Sequence, residues 1–90
     1  MKADHAQVAR LVRNAQGQLD AVLRMIEEDR YCMDVSTQLL AAQSLIKKAN
    51  REVLKGHLTH CVKEAMTSGD EDEMDKKVLE LMDAIDKMNR

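Results

Sequence analysis

Proline, tryptophan and phenylalanine are absent from the 90 residues, tyrosine occurs once and glycine three times. So few turn-forming residues exclude an all-β or loop-rich fold, and a hydrophobic content of 44% excludes a disordered chain. Without large aromatic side chains the core must be built from Leu, Ile, Val, Ala and Met. These fill helix seams well but give a thin core to one small protomer. The class is all-α, with a single domain over residues 1–90. Self-association is the first expectation, because so short a chain buries only a modest part of its surface alone. There is no cationic-then-apolar leader and no apolar run near about eighteen residues. With two cysteines, this predicts a reduced, cytoplasmic protein without a membrane segment. No nucleophile with a paired base, no carboxylate pair in an obvious pocket and no phosphate-cradling glycine loop is present, so no enzymatic activity is expected.

What is present is helical patterning. Val8, Val12, Ala15, Leu19, Val22 and Ile26 are spaced 4, 3, 4, 3, 4, the rhythm of helices packed side by side. The stripe fails within Glu27-Glu28-Asp29-Arg30, where a turn is expected despite the lack of Gly or Pro. A second stripe, Val35, Leu39, Ala42, Ile46, Ala49 and Val53, continues through Leu54, Leu58, Val62, Ala65 and Met66, predicting a long helix over roughly 32–67. Gly69 suits a left-handed helix end, and Asp70 with Glu73 suits the start of a third helix carrying Met74, Val78, Leu81, Ile85 and Met88. Three helices with one apolar seam each close a good core only by pairing, so an antiparallel four-helix-bundle dimer is expected.

The charge is divided unevenly. Residues 1–61 carry nine basic and seven acidic groups and residues 62–90 five and nine, within a net charge of −2. A polyanion would therefore meet the first two-thirds of the chain. Arg10 and Arg13, with Lys47, Lys48, Arg51 and Lys55, can form a phosphate-tracking surface once duplicated by symmetry; a solvated charged face is the plainer alternative.

His57 and Cys61 are four apart on the second helix, the spacing of paired helical metal ligands. Cys32 stands 25 residues before His57, roughly 38 Å along a continuous helix. The three can then meet only between chains, and an antiparallel pairing of two second helices would bring them together. Two thiolates and one imidazole suit Cu(I), and Zn(II) if a fourth ligand is supplied; hard ions are disfavoured. The alternative is that both cysteines are small buried residues and His57 a satisfied polar group. His60, about 100° around the helix from Cys61, and His5, near the N-terminus, are read as solvent-facing. The seven methionines fall largely on seams and ends at helical spacing and are read as core rather than ligands.

The set Arg30-Tyr31-Cys32-Met33-Asp34, then Lys47, then Gly56-His57-Leu58-Thr59-His60-Cys61-Val62, with Gly17-Gln18 before them, resembles the copper-sensitive operon repressors of the CsoR/RcnR family over nearly the whole chain. The resemblance implies three-helix protomers that form antiparallel dimers and then a dimer-of-dimers tetramer. It implies Cu(I) held by Cys32 of one subunit with His57 and Cys61 of the other, and Tyr31 and Glu80 orienting the histidine. Glu80 matches only with three residues inserted after Ser68-Gly69-Asp70. The implied activity is repression: the apo protein binds operator double-stranded DNA and Cu(I) releases it. Members that sense nickel or cobalt place a histidine where Cys61 stands, formaldehyde-responsive members lack that second thiol, and persulfide-responsive members lose the histidine. A thiol-responsive repressor is the nearest alternative, and a metal-binding bundle without DNA function the next. One departure is Asn14, where the family usually carries an arginine; the DNA-contacting role then passes loosely to Arg10 and Arg13, and Lys47 is the better match.

Overall fold

The computed structural model describes residues 1–89, with the side chains of Cys61 and Val62 outside that description. Helix α1 spans His5–Glu27 and α2 spans Cys32–Gly56; a π-helical turn, His57–Val62, leads into α3, Lys63–Ser68, and α4 spans Glu71–Met88. Among the described residues there is no strand, so the all-α expectation holds, with three helical rods as expected. The chain divides into two compact units, Ala6–Asn50 and Met1–His5 with Arg51–Arg90.

In the first unit, α1 ends without glycine because Asp29 adopts φ 53, the left-handed conformation. Arg30 N–H then donates to Met25 O at 3.0 Å and Asp29 N–H to Ile26 O at 3.1 Å, the paired bonds of a Schellman motif. Short polar Asp tolerates this region better than most residues, which is how the turn forms where neither Gly nor Pro is available. Tyr31 O accepts from Asp34 N–H at 3.0 Å and Val35 N–H at 3.2 Å, starting α2 at Cys32.

The buried residues of this unit are Leu11, Ala15 and Val22 on α1 and Ala42 and Ala49 on α2. The expected stripe is only half correct. Val8, Ala15 and Val22 face inward, but Val12, Leu19 and Ile26 are exposed, and so are Leu39 and Ile46. Leu11, Gln18 and Met25 take the inward places on α1, and Gln38 and Leu45 take them on α2. Each helix carries an apolar face wider than one neighbour can cover, and the protomer closes on one edge of it.

In the second unit, Gly69 adopts φ +73 and ends α3, as expected. The Asp70 side chain accepts from Asp72 N–H at 3.0 Å and Glu73 N–H at 3.2 Å, and Glu71, Asp72 and Glu73 occupy the positive end of the α4 dipole. Helix α4 packs back on the π turn and α3. Of the methionines expected on seams, Met25, Met74 and Met88 are partly buried, whereas Met33, Met66 and Met82 are exposed. No helix among the described residues is long and apolar enough to cross a membrane.

Candidate metal centre

The expected pair on one regular α-helical face is modified by the structure. His57 to Val62 form a π-helical turn, so residues five apart rather than four are hydrogen-bonded and the backbone widens where His57 and Cys61 stand. Immediately before it, Gly56 packs against the N-terminal segment: a Cβ at this position would lie 2.6 Å from the Ala3 Cα. Only glycine accepts so close a backbone approach. Nothing in the helical patterning marks this packing, although a glycine inside a long apolar-periodic stretch is the kind of signal that flags it.

His57 is partly buried, with a quarter of its side chain exposed. Its Nε2 atom is buried and takes part in no hydrogen bond among the described residues. Glu80 Oε2 of α4 lies 3.4 Å from it, at ion-pair distance but without hydrogen-bond geometry. Lys77, one turn earlier on α4, stands 3.9 Å from the same oxygen. The structure thus brings together His57 and Glu80, the latter aligned only through an insertion after Asp70. A buried imidazole nitrogen facing a carboxylate is a partly finished arrangement: once the ring moves so that Nε2–H donates to Glu80, the lone pair sits on Nδ1, free to bind a metal.

Cys32 is the first residue of α2 and is exposed. It opens onto a cleft of about 330 Å³ lined by Ile26, Asp29, Arg30, Val35 and Leu39 at the α1–α2 turn. Such a thiol is not filling a core within its protomer. Tyr31 is also exposed, at 69%. The Cys61 side chain lies outside the described residues, and among those described no three His, Cys, Asp or Glu groups gather into a metal cluster. Cys32 belongs to the first unit, and His57 and Cys61 to the second. A soft set of two thiolates and an imidazole nitrogen fits Cu(I) by its chemistry.

His60 is exposed, and His5 is exposed with its Nε2 3.1 Å from Met1 O. The basic residues Arg10, Arg13, Lys47, Lys48 and Arg51 are exposed, and none makes an ion pair among the described residues. Arg51 and Lys55 flank an apolar groove of about 400 Å³ between the end of α2 and α4.

A family model described as metal-sensitive transcriptional repressor matches residues 4–87. The chain is 43% identical over 61 residues to the copper-sensing transcriptional repressor RicR of Mycobacterium tuberculosis, a match covering 68% of this chain and 64% of that protein. It is 32% identical over 84 residues to the copper-sensing transcriptional repressor CsoR of Bacillus subtilis, covering 93% and 80%. The matched segment thus spans less than two thirds of the mycobacterial RicR and 50% of CsoR from Mycobacterium ulcerans. Among solved structures, the Cu(I)-bound copper-sensing repressor CsoR of Geobacillus thermodenitrificans superposes with a TM-score of 0.81 at 28% identity, covering 94% of this chain and 85% of that one. The nickel-responsive transcriptional regulator InrS shares the fold, with a TM-score of 0.78 at 22% identity, covering 98% and 96%.

Proposed function

The chain belongs to the metal-sensitive transcriptional repressor family, and from that premise we propose that it is a cytoplasmic, Cu(I)-responsive repressor that holds operator double-stranded DNA in its apo state and releases it when Cu(I) binds, derepressing copper-efflux genes. Residues 1–90 act as one regulatory domain. Its ligands are Cys32 of one protomer with His57 and Cys61 of another, in an antiparallel dimer that doubles into a tetramer. The observation that carries this reading is the buried His57 Nε2, 3.4 Å from Glu80 Oε2 and without a hydrogen bond among the described residues, from where a small ring movement completes the bond that orients a ligand histidine.

Bound Cu(I) supplies a soft centre that favours thiolate and imidazole over water. Glu80 of α4 lies close enough to take the Nε2–H of His57 when the ring moves to bind metal, so a change in ring position is passed to that helix and on to the assembly. Tyr31 stands beside Cys32 as a second orienting group. Arg10, Arg13, Lys47, Lys48 and Arg51 neutralise DNA phosphates, their side chains being exposed and in no ion pair among the described residues. The exposed row Val12, Leu19 and Ile26, at seven-residue spacing, supports pairing with a second copy. The copper-sensing relatives and the Cu(I)-bound structural neighbour support Cu(I) over Zn(II).

An anaerobic Cu(I) titration read out by binding to the DNA upstream of its own gene tests this. Salt-sensitive binding in the apo state that is lost as Cu(I) is added supports the reading. Cu(I) binding without any DNA complex would leave a metal-binding bundle. The exposed thiol of Cys32 favours one second reading, a thiol-responsive repressor of the same fold. Mass spectrometry after treatment with a low-molecular-weight persulfide, whose sulfane sulfur is the oxidant, separates the two: a copper sensor recovers as reduced chains, and in a sulfur sensor one thiol takes the sulfane sulfur and is then attacked by the partner thiol, releasing sulfide and leaving a pair cross-linked through Cys32 and Cys61.

A further inference from the structure

The Gly17-Gln18 motif has no role in metal or DNA binding as described so far, and the structure gives Gln18 a partner. Gln38 Nε2 donates to Gln18 Oε1 and lies 3.5 Å from Gln18 O, joining α1 to α2 in the interior of the first unit. Both residues are partly buried and hold matching seam positions. Gln18 falls three residues after Ala15 and four before Val22; Gln38 falls three after Val35 and four before Ala42.

This placement is not what apolar transfer alone would choose. The next residue in each helix is a leucine, and adjacent helical residues point about 100° apart. A modest rotation of the two helices would turn Leu19 and Leu39 inward and the two amides into water, where they need no protein partner. Val12, Ile26 and Ile46 would move inward with the leucines. Instead Leu19 and Leu39 stay 41% and 46% exposed, and two amides sit in the seam. A polar pair in an otherwise apolar helix seam selects one alignment among several that burial would tolerate.

We propose that the Gln18–Gln38 pair is a rotational key: it fixes which edge of each wide apolar face closes the hairpin, and so keeps Val12, Leu19, Ile26, Leu39 and Ile46 outward for a second copy of this chain. The proposal rests on the oligomeric reading above. In this setting both edges of each face are used, one within the protomer and one between protomers. In the rotated setting the outward edge would carry two amides through the middle of the contact, and pairing would weaken.

The test is the double variant Gln18→Leu with Gln38→Leu in the full chain, read by methyl NOEs across the hairpin and by sedimentation velocity. The expected result is a helical protein in which Leu19 and Leu39 methyls gain NOEs to the opposite helix, with self-association weakened at least about tenfold. A hairpin whose NOE pattern matches the wild type overturns the proposal. Should the double variant not fold, Gln38→Leu alone, which removes the donor, gives the same NOE readout with the same two outcomes. Gln18→Glu with Gln38→Lys retains a polar bond at both positions and restores the wild-type NOE pattern and assembly; failure of that rescue also counts against the key. A wild type that sediments as a monomer sinks the oligomeric reading instead, and the key then stands or falls on the NOEs.

Discussion

Ala3 rests on Gly56 so closely that a Cβ at residue 56 would lie 2.6 Å from the Ala3 Cα and 2.7 Å from its nitrogen. The N-terminal segment is therefore docked on the residue that immediately precedes His57. Within an isolated helix Gly→Ala is favourable by about 1 kcal/mol. Here Gly56→Ala forces backbone apart, which reverses that sign, since overpacking costs about 1–3 kcal/mol. The expected outcome is a lower thermal midpoint, with backbone chemical-shift changes at residues 2–4. A stabilised protein with the shifts of residues 2–4 unchanged would mean that the segment does not dock.

Two helix ends predict opposite responses to substitution. Asp29 holds a left-handed conformation that glycine adopts at no steric cost, so Asp29→Gly should stabilise the protein by up to about 1 kcal/mol. Gly69 is left-handed already, and Gly69→Ala should destabilise by about 1 kcal/mol. For a chain of this size each change moves the midpoint by roughly 4–8 °C. Thermal melts at matched protein concentration check both.

At Gly17 a Cβ would meet nothing within 4 Å. Gly17→Ala should therefore stabilise α1 by about 1 kcal/mol through helix propensity alone. If stability rises while apo DNA affinity falls, the helix backbone at Gly17 is where the nucleic acid or a second protomer comes close. If both are unchanged, the propensity account of this position is wrong.

Glu80→Ala removes the carboxylate facing His57 Nε2 and should weaken Cu(I) binding by about 10–100-fold, the usual effect of losing a group that orients a ligand. Glu80→Gln, which keeps an acceptor oxygen, should lie between the two. Competition with a Cu(I) chelator measures this, and equal affinity in all three proteins would remove Glu80 from the site.

Lys47→Ala should lower apo DNA affinity and reduce the slope of log affinity against log salt by about 1, as expected for one lost phosphate contact. An unaltered slope would place Lys47 away from the nucleic acid.

Much of this architecture was legible in the sequence because its signals are local. Gly69 and Asp70 mark a helix end and start by their own backbone chemistry. The long second helix follows from a stripe continuous past Gly56. The meeting of His57 with Glu80 was accessible only through the family resemblance, since those residues lie on different helices. Where the sequence misled, the cause is also identifiable. Leu19 and Leu39 look like seam residues because periodicity counts apolar side chains, whereas the fold turns the polar Gln18 and Gln38 inward in their place. Periodicity cannot register a hydrogen bond between residues twenty apart. The left-handed Asp29 and the widened turn at His57 escaped for a related reason: both are backbone states of residues with no strong preference for them.

The largest apolar side chains of the first unit are divided between an interior of few buried residues and an outward row made of Val12, Leu19, Ile26, Leu39 and Ile46. In the proposed assembly folding and pairing are one equilibrium, and its midpoint moves with the amount of protein present. Under the proposed function, growth that dilutes the chain removes native molecules as well as DNA-bound ones, so its regulatory effect should weaken more steeply than in proportion to copy number.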